Sequence, residues 1–127
     1  MQLKIYDSVQ KEKVDFIPIN PPEVRLYVCG PTVYDDSHLG HARSAIVFDL
    51  LRRVLRENGY KVYFAKNFTD IDDKIINKSL QTGLSITEIT KTYIQKYLDE
   101  MEALGVERAD IEPKATESLE SICEMIQ

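Results

Sequence analysis

The two histidines of this chain, His38 and His41, stand three positions apart in the stretch YVCGPTVYDDSHLGHARS at 27–44. One of its two cysteines, Cys29, lies upstream in the same stretch. Imidazoles and thiols bind metals, exchange protons and form hydrogen bonds with anions. This short segment is therefore the first place to look for chemistry.

The residues alone leave three interpretations of this stretch open. Cys29, His38, His41 and one acid could hold zinc, although the spacing is not that of a compact ligand hairpin. The histidines could instead only hydrogen-bond the backbone of a surface loop. In the third interpretation they bind a phosphate, because a helix start offers unpaired N–H groups and the positive end of its dipole. Neither G-x-G-x-x-G nor the P-loop G-K-[ST] occurs, so such a phosphate site would be of another kind.

The surrounding pattern predicts the elements that would position these residues. VRLYVCG at 24–30 is a nearly continuous apolar run, typical of a buried parallel strand. A helix is predicted from 38–40 to about 58, and KVYFAKNFT at 61–69 is predicted as a second strand. This β-α-β order predicts a parallel α/β sheet that binds its ligand at the first strand–helix loop. The apolar positions predicted for the helix include Ala42, Ala45, Ile46, Leu50, Val54 and Leu55.

The domain prediction has three parts: a small β-prone segment at 1–20, the β-α-β core at 24–70 and a helical segment at 71–127. In the first part, 3–7 and 13–17 could pair as a hairpin. The last apolar stripe is still running at the final residue, so we expect a fragment cut in mid-helix.

Three helices are predicted in the last part. A short one runs from Asp70 to Thr82. A longer one begins after Ser85, which forms a capping box with Glu88, and its stripe of Ile and Tyr residues is predicted as core. The third begins near Thr116.

Composition is that of one soluble domain. The chain has 127 residues, 43% of them hydrophobic, and a net charge of −5, which argues against a broad non-specific grip on nucleic acid. Its apolar runs are too short to span a membrane, and its first ten residues lack a secretory signal pattern. Two widely spaced cysteines fit a reducing compartment, so a cytoplasmic protein is predicted. Bases outnumber acids between Arg43 and Lys66, which indicates solvated helix faces or, alternatively, a basic rim beside a phosphate site.

His38-Leu39-Gly40-His41 resembles the HIGH motif of class I aminoacyl-tRNA synthetases and their nucleotidyltransferase relatives. The surroundings are more specific. YVCGPTVYD at 27–35, HLGHARS at 38–44 and NFTDIDDKI at 67–75 together resemble the N-terminal catalytic half of a cysteinyl-tRNA synthetase. The likeness runs from LKIYD at 3–7 through EPKAT at 112–116. It implies the first half of a Rossmann-like parallel sheet with flanking helices, truncated.

The resemblance implies that the full-length protein activates L-cysteine with ATP and magnesium, giving cysteinyl-adenylate and pyrophosphate, and transfers the cysteinyl group to tRNA(Cys). Attack of a carboxylate on a phosphate is catalysed mainly by positioning and charge stabilisation. His38 and His41 are therefore expected to donate hydrogen bonds to ATP, as catalytic residues rather than nucleophiles. Thr32 and Gly40 are the further candidates on the ATP side.

On the cysteine side, the resemblance implies that Cys29 is a zinc ligand, in a family whose zinc holds the substrate thiolate. Gly30, Thr69 and Asp70 would lie beside the bound amino acid. Thr69 or Asp70 could also simply cap the following helix. Asp49, within an apolar helix run, is predicted to pair internally.

The 127-residue sequence contains no counterpart of the family's KMSKS motif, of its other zinc ligands or of its anticodon-binding region. We therefore expect this chain alone to bind little zinc, not to aminoacylate, and to self-associate through exposed apolar surface. Two alternatives remain. One is a cysteine ligase of mycothiol biosynthesis, which shares the adenylating domain, and the other is a truncated module without enzymatic activity.

Overall fold

The chain begins with a small hairpin. The computed structural model describes residues 3–126. Strand β1 (Lys4–Asp7) pairs antiparallel with β2 (Glu12–Asp15), so the predicted hairpin is confirmed. Lys11 takes a positive φ of 59° in the turn between the two strands.

A parallel pair of strands follows, connected by a long helix. β3 (Glu23–Val28) and β4 (Lys61–Lys66) pair in register over six residues each, and α1 (Leu39–Glu57) runs between them. This confirms the predicted β-α-β order and the mixed α/β fold with a parallel sheet. Gly59, at φ +86°, follows α1 and reverses the chain into β4, as glycine does after many helices.

The expectation that β3 is a buried strand on both faces is wrong. Val24 and Val28 point into the core, whereas Arg25 and Tyr27 are exposed, Tyr27 by 64%. Tyr63 on β4 is exposed on the same face. The apolar run in β3 is therefore buried on one face only. It looked continuous in the sequence because Tyr27, an aromatic residue, lies on the exposed face.

An extended segment at 110–115 adds to the free edge of β4, which the sequence analysis did not predict. The N–H of Asp110 donates to the carbonyl of Phe64 at 2.8 Å, and the N–H of Lys66 donates to Ile111 at 2.9 Å. The N–H of Phe68 donates to the carbonyl of Pro113 at 2.8 Å. Proline in this segment obscured it, because a strand pattern rarely contains a residue without an N–H.

The remaining elements are α2 (Asp73–Thr82), α3 (Ile86–Ala103) and α4 (Leu119–Ile126), the last preceded by a 3₁₀ turn at Thr116–Ser118. The capping box of Ser85 and Glu88 is confirmed. The predicted start of α2 at Asp70 is wrong, because Asp72 is its N-cap and accepts from the N–H of Lys74 at 2.9 Å. No described helix combines the length and the apolar character needed to cross a membrane.

The core beneath the first strand–helix loop joins four parts of the chain. Val33 in the loop, Ala45 on α1, Phe68 after β4, and Tyr97 and Met101 on α3 are all buried in one cluster. The predicted core stripe of α3 is thus confirmed at these positions. The ring of Phe68 meets that of Tyr97 edge-on at 5.8 Å. This cluster supports the loop that carries the candidate site.

The buried side of α1 is partly ionic. Ala45 and Leu55 are buried as predicted, but Ile46 and Leu50 are 45% and 60% exposed. Asp49 and Arg52 take inward positions instead, at 7% and 1% exposure. The interpretation of the basic residues here as solvated is therefore wrong for Arg52.

Asp49 pairs internally, as the sequence predicted. Its carboxylate accepts from Arg52 at 2.8 Å, from Arg53 at 2.7 Å and from the N–H of Glu107 at 3.2 Å. Burial alone would raise the pKa of Asp49, but these hydrogen bonds outweigh it and lower the pKa. Glu107 also pairs with Arg52 and Arg56, at 3.1 and 2.7 Å. These arginines join α1 to the loop after α3 and do not form a basic rim.

Candidate functional site

The two histidines cap the start of α1. His38 is the N-cap residue, and its Nδ1 accepts a hydrogen bond from the N–H of Gly40 at 3.0 Å. Nδ1 of His41 accepts from the N–H of His38 at 3.2 Å. This is a reciprocal capping box in which two imidazoles replace the usual hydroxyl and carboxylate. The two rings stack with centroids 4.0 Å apart.

This cap fixes which nitrogen of each ring carries the proton. A neutral imidazole has one N–H and one acceptor nitrogen. Because Nδ1 accepts a backbone hydrogen bond in both residues, the hydrogen sits on Nε2 in both. His38 and His41 therefore present Nε2–H donors at the positive end of a 19-residue helix. The backbone-only interpretation accounts for one nitrogen of each ring and leaves the other available to a ligand.

The surroundings keep His41 neutral. Burial lowers the pKa of His41, and electrostatic repulsion by the adjacent His38 ring and the Lys66 ammonium lowers it further, while Glu100 opposes them. The ordinary value is 6.5, so the neutral ring that the cap requires predominates at pH 7. The cap and the pKa thus favour the same proton distribution.

The ends of β3 and β4 are held together just above this cap. Oδ1 of Asn67 accepts from the N–H of Gly30 at 2.8 Å and from the hydroxyl of Tyr27 at 3.0 Å. A Cβ at Gly30 would lie 1.5 Å from the carbonyl oxygen of Asn67. Only glycine allows this close approach of the two backbones. The N–H of Thr69 donates to Pro31 at 3.1 Å, which continues the pairing past the strands.

A cavity of about 230 Å³ opens at these strand ends. Four of the eight predicted site residues line it: Cys29, Gly30, Thr32 and His41. His38 and Gly40 lie beside it through the cap. Thr69 is next to it, paired with Thr32 by an isolated parallel bridge. The predicted ATP side and most of the predicted cysteine side are thus brought to one edge of the sheet.

Asp70 lies elsewhere. Its carboxylate accepts from the N–H of Thr116 at 3.0 Å and from the hydroxyl of the same residue. It is 5% exposed and lines a separate cavity of about 380 Å³ with Thr90 and Lys114. Asp70 does not cap α2, since Asp72 does so. Its observed contacts tie the start of α2 to the 3₁₀ turn.

The described residues do not form a zinc site by themselves. Cys29 is exposed, and its Sγ lies 3.6 Å from the carbonyl oxygen of Gly30. Residues 3–126 bring no three His, Cys, Asp or Glu side chains together in a way that could hold a metal ion. The Nδ1 atoms of both histidines are also occupied by the backbone. A self-contained zinc site built from Cys29, His38 and His41 is therefore not supported.

Four further residues line the site cavity that the sequence analysis did not single out as site residues: Pro31, Ser44, Lys66 and Tyr97. Nζ of Lys66 donates to the hydroxyl of Tyr97 and lies 5.0 Å from the centroid of its ring. Burial lowers the pKa of Lys66 and raises that of Tyr97 to about 12. The sequence could have indicated Lys66 by its position. It is the last residue of β4, beside the end of β3, and the carboxyl ends of parallel strands form the edge of the sheet where ligands bind.

Fold and site together define a class of protein: a parallel α/β domain whose first strand–helix loop leads into a helix capped by two imidazoles. A family model described as the tRNA synthetases class I (C) catalytic domain matches residues 15–127. The chain belongs to this family.

Similar proteins agree with this assignment. The chain is 66% identical over all 127 residues to the cysteine–tRNA ligase of Wolinella succinogenes, of which it covers 27%. It is 69% identical over 125 residues to that of Sulfurovum sp., covering 98% of the chain and 27% of the relative. With the Helicobacter hepaticus protein of the same name, identity is 62% over 125 residues, 98% of the chain and 26% of the relative. The chain thus spans about a quarter of the length of these relatives.

Proposed function

We propose that this chain is part of a cysteine–tRNA ligase, and that it contributes the site where ATP and L-cysteine meet. The observation that carries the proposal is the imidazole capping box, which presents two Nε2–H donors beside a cavity lined by Cys29. High identity to proteins named cysteine–tRNA ligase supports the same assignment. That name also favours it over the mycothiol ligase and over a module without activity.

In this proposal His38 and His41 donate hydrogen bonds to ATP phosphate oxygens, with Thr32 and Gly40 alongside. Negative charge builds up on those oxygens as the carboxylate of cysteine attacks the α-phosphate and pyrophosphate leaves, so donors fixed in advance stabilise the transition state. The cap contributes this pre-organisation, because rotation of either ring would break a backbone hydrogen bond. Magnesium would accompany ATP, and tRNA(Cys) would accept the cysteinyl group.

Gly30 and Thr69 lie on the amino-acid side of this proposed site. Asp70 makes no direct contact with the amino acid in this proposal, because both of its carboxylate oxygens accept hydrogen bonds from Thr116. Cys29 would supply one thiolate ligand to zinc, whose chemistry is to hold a substrate thiolate in preference to a hydroxyl. The other ligands would have to come from outside these residues. Both cysteines are free, as expected for a cytoplasmic enzyme.

The proposal is tested by cysteine-dependent exchange of pyrophosphate into ATP, with serine in place of cysteine as the control. The 127-residue chain is measured beside a form extended to the natural stop of its gene. We expect exchange only in the longer form and only with cysteine. Absence of exchange in both forms would reject cysteine activation, and exchange by the short chain would reject its expected inactivity.

A further inference from the structure

The cavity at the strand ends contains a charge that the proposed function does not use. Lys66 closes β4, and its side chain is half-buried against Tyr97 while it lines the cavity with Cys29 and His41. The phenol of Tyr97 accepts from Nζ. A protonated phenol fixes the direction of the ammonium without neutralising it.

Among residues 3–126, no carboxylate lies within 4.0 Å of the Lys66 ammonium, in contrast to Lys78 and Lys96 elsewhere in the chain. Lys78 pairs with Asp35 at 3.2 Å, and Lys96 pairs with Asp36 at 2.7 Å. Glu112, whose charge acts on Lys66, is held instead by Arg108 and by the N–H of Ala109. A partly desolvated ammonium without a counter-ion favours the binding of an anion.

The cavity walls around Lys66 are suited to an oxyanion. Thr32 and Ser44 carry hydroxyls, and His41 carries the Nε2–H donor derived above. We propose that Lys66 binds an oxyanion between Cys29 and His41: the carboxylate of the amino acid or the α-phosphate of the nucleotide. The choice of these two oxyanions rests on the proposed function, in which L-cysteine and ATP are the substrates.

A cation at this position would serve the reaction directly. When the carboxylate forms its bond to the α-phosphorus and pyrophosphate leaves, two negatively charged groups must first come together, and their repulsion opposes the approach. The ammonium reduces that repulsion while its direction is held by Tyr97. Lys66 would then be a substrate-contacting residue, and Tyr97 a positioning residue behind it.

The test measures ligand binding to the 127-residue chain by NMR titration. AMP is compared with adenosine, which lacks the phosphate, and L-cysteine with cysteamine, which lacks the carboxylate. Lys66→Met removes the charge, Lys66→Arg retains it, and Tyr97→Phe keeps the ring but removes the hydroxyl. Lys61→Met is the matched control, because Lys61 begins the same strand, is exposed and lies 5.2 Å from the ring centroid of Tyr63. Thermal midpoints and circular dichroism check that each variant folds.

We expect Lys66→Met to weaken AMP, L-cysteine or both by about ten-fold, the range of a hydrogen bond to a charged group. Adenosine and cysteamine should bind as before, Lys66→Arg should retain most of the affinity, and Tyr97→Phe should lose a few-fold. Loss of AMP alone identifies the phosphate, and loss of L-cysteine alone identifies the carboxylate. An equal effect of Lys61→Met, or unchanged binding by Lys66→Met, would overturn the proposal.

Two results separate this inference from the proposed function. A wild-type chain that binds AMP no better than adenosine, and L-cysteine no better than cysteamine, overturns the oxyanion site whatever the exchange assay gives. Pyrophosphate exchange that persists undiminished in the longer protein carrying Lys66→Met removes the role of Lys66 but leaves cysteine activation standing.

Discussion

An imidazole can cap a helix with one ring nitrogen and offer the hydrogen on its other ring nitrogen to a ligand. An ionised aspartate in the same position has only acceptor oxygens. His38 and His41 use Nδ1 for the backbone and keep Nε2–H. The residue types, their spacing and their place at a helix start were evident from the sequence. The proton distribution was not, because it depends on the reciprocal cap and on the partial burial of His41.

Two substitutions at His38 separate its capping role from its role as a donor. Asparagine caps helices well but lacks Nε2–H, whereas alanine lacks both functions. We expect His38→Ala to lower the free energy of unfolding by about 1 kcal/mol and His38→Asn to leave it nearly unchanged. Pyrophosphate exchange in the longer protein should fall in both. Denaturant unfolding curves give the first result, and full exchange activity in His38→Asn would contradict the donor role.

The lowered pKa of His41 predicts a pH dependence of stability. A histidine whose folded pKa lies below its unfolded value of 6.5 contributes stability above pH 6.5. That contribution is lost as the pH falls through the folded pKa, because the unfolded chain takes up the proton more readily. Unfolding free energies at pH 7.5, 6.0 and 5.0 should therefore fall more steeply in wild type than in His41→Gln. Glutamine at this position keeps a capping box and does not titrate. Parallel curves for the two proteins would refute the assignment.

At the scale of elements, α1 shows why an apolar pattern does not fix which face is buried. Ile46 and Leu50 suggested an apolar inner face, yet Asp49 and Arg52 lie inside and these two lie outside. The buried Asp49–Arg52 pair also has partners distant in sequence: Glu107 and the carbonyl of Arg108, which accepts from Arg52 at 2.7 Å. The β-α-β order follows from local sequence, whereas these long-range partners do not.

Removal of the Asp49 carboxylate should expose the energetic role of this network. Asp49→Asn leaves the buried Arg52 guanidinium with only the partly exposed carboxylate of Glu107, at 3.1 Å, so we expect a loss of about 3 kcal/mol in the free energy of unfolding. Asp36→Asn is the matched control, because Asp36 pairs with Lys96 at 2.7 Å on the surface. That variant should lose at most about 1 kcal/mol. Equal losses in the two variants would show that burial of the Asp49 pair has no special weight.

The segment at 110–115 extends the sheet beyond what local pattern could reveal. Its hydrogen bonds join it to Phe64, Lys66 and Phe68, about 45 positions earlier in the chain. It contains a proline and three charged residues, so its sequence does not have the pattern of a strand. Its extended conformation is set by hydrogen bonds to the neighbouring strand β4. Through this segment the loop after α3 fixes the backbone of Lys66 and hence one wall of the site cavity.

At the scale of the whole molecule, the main feature is a large area of apolar surface that none of the described residues covers. Tyr27 and Ile111 are 64% and 60% exposed on the sheet side, and Ile17 and Ile19 are 80% and 95% exposed near the hairpin. A cavity of about 450 Å³ lies along the sheet side between Tyr27, Tyr63 and Ile111. Surfaces of this kind on an isolated chain favour association.

We therefore expect the 127-residue chain to self-associate, with an average mass by light scattering that rises with protein concentration. Ile111→Lys places a charge in the exposed sheet face and should reduce the association. Gln81→Lys is the control, because it adds the same single positive charge at an exposed position on α2. A monodisperse monomer of wild type across the concentration range would contradict this expectation.

The imidazole cap also bears on how the site would react with chemical reagents. In a neutral imidazole the nucleophilic lone pair belongs to the nitrogen without hydrogen, which in both rings is Nδ1. Those lone pairs are already shared with the N–H groups of Gly40 and His38. Acylating and alkylating agents should therefore modify these histidines slowly in the folded chain, although His38 is exposed to solvent. Cys29, exposed a few residues away, is left as the electrophile-sensitive position of the loop.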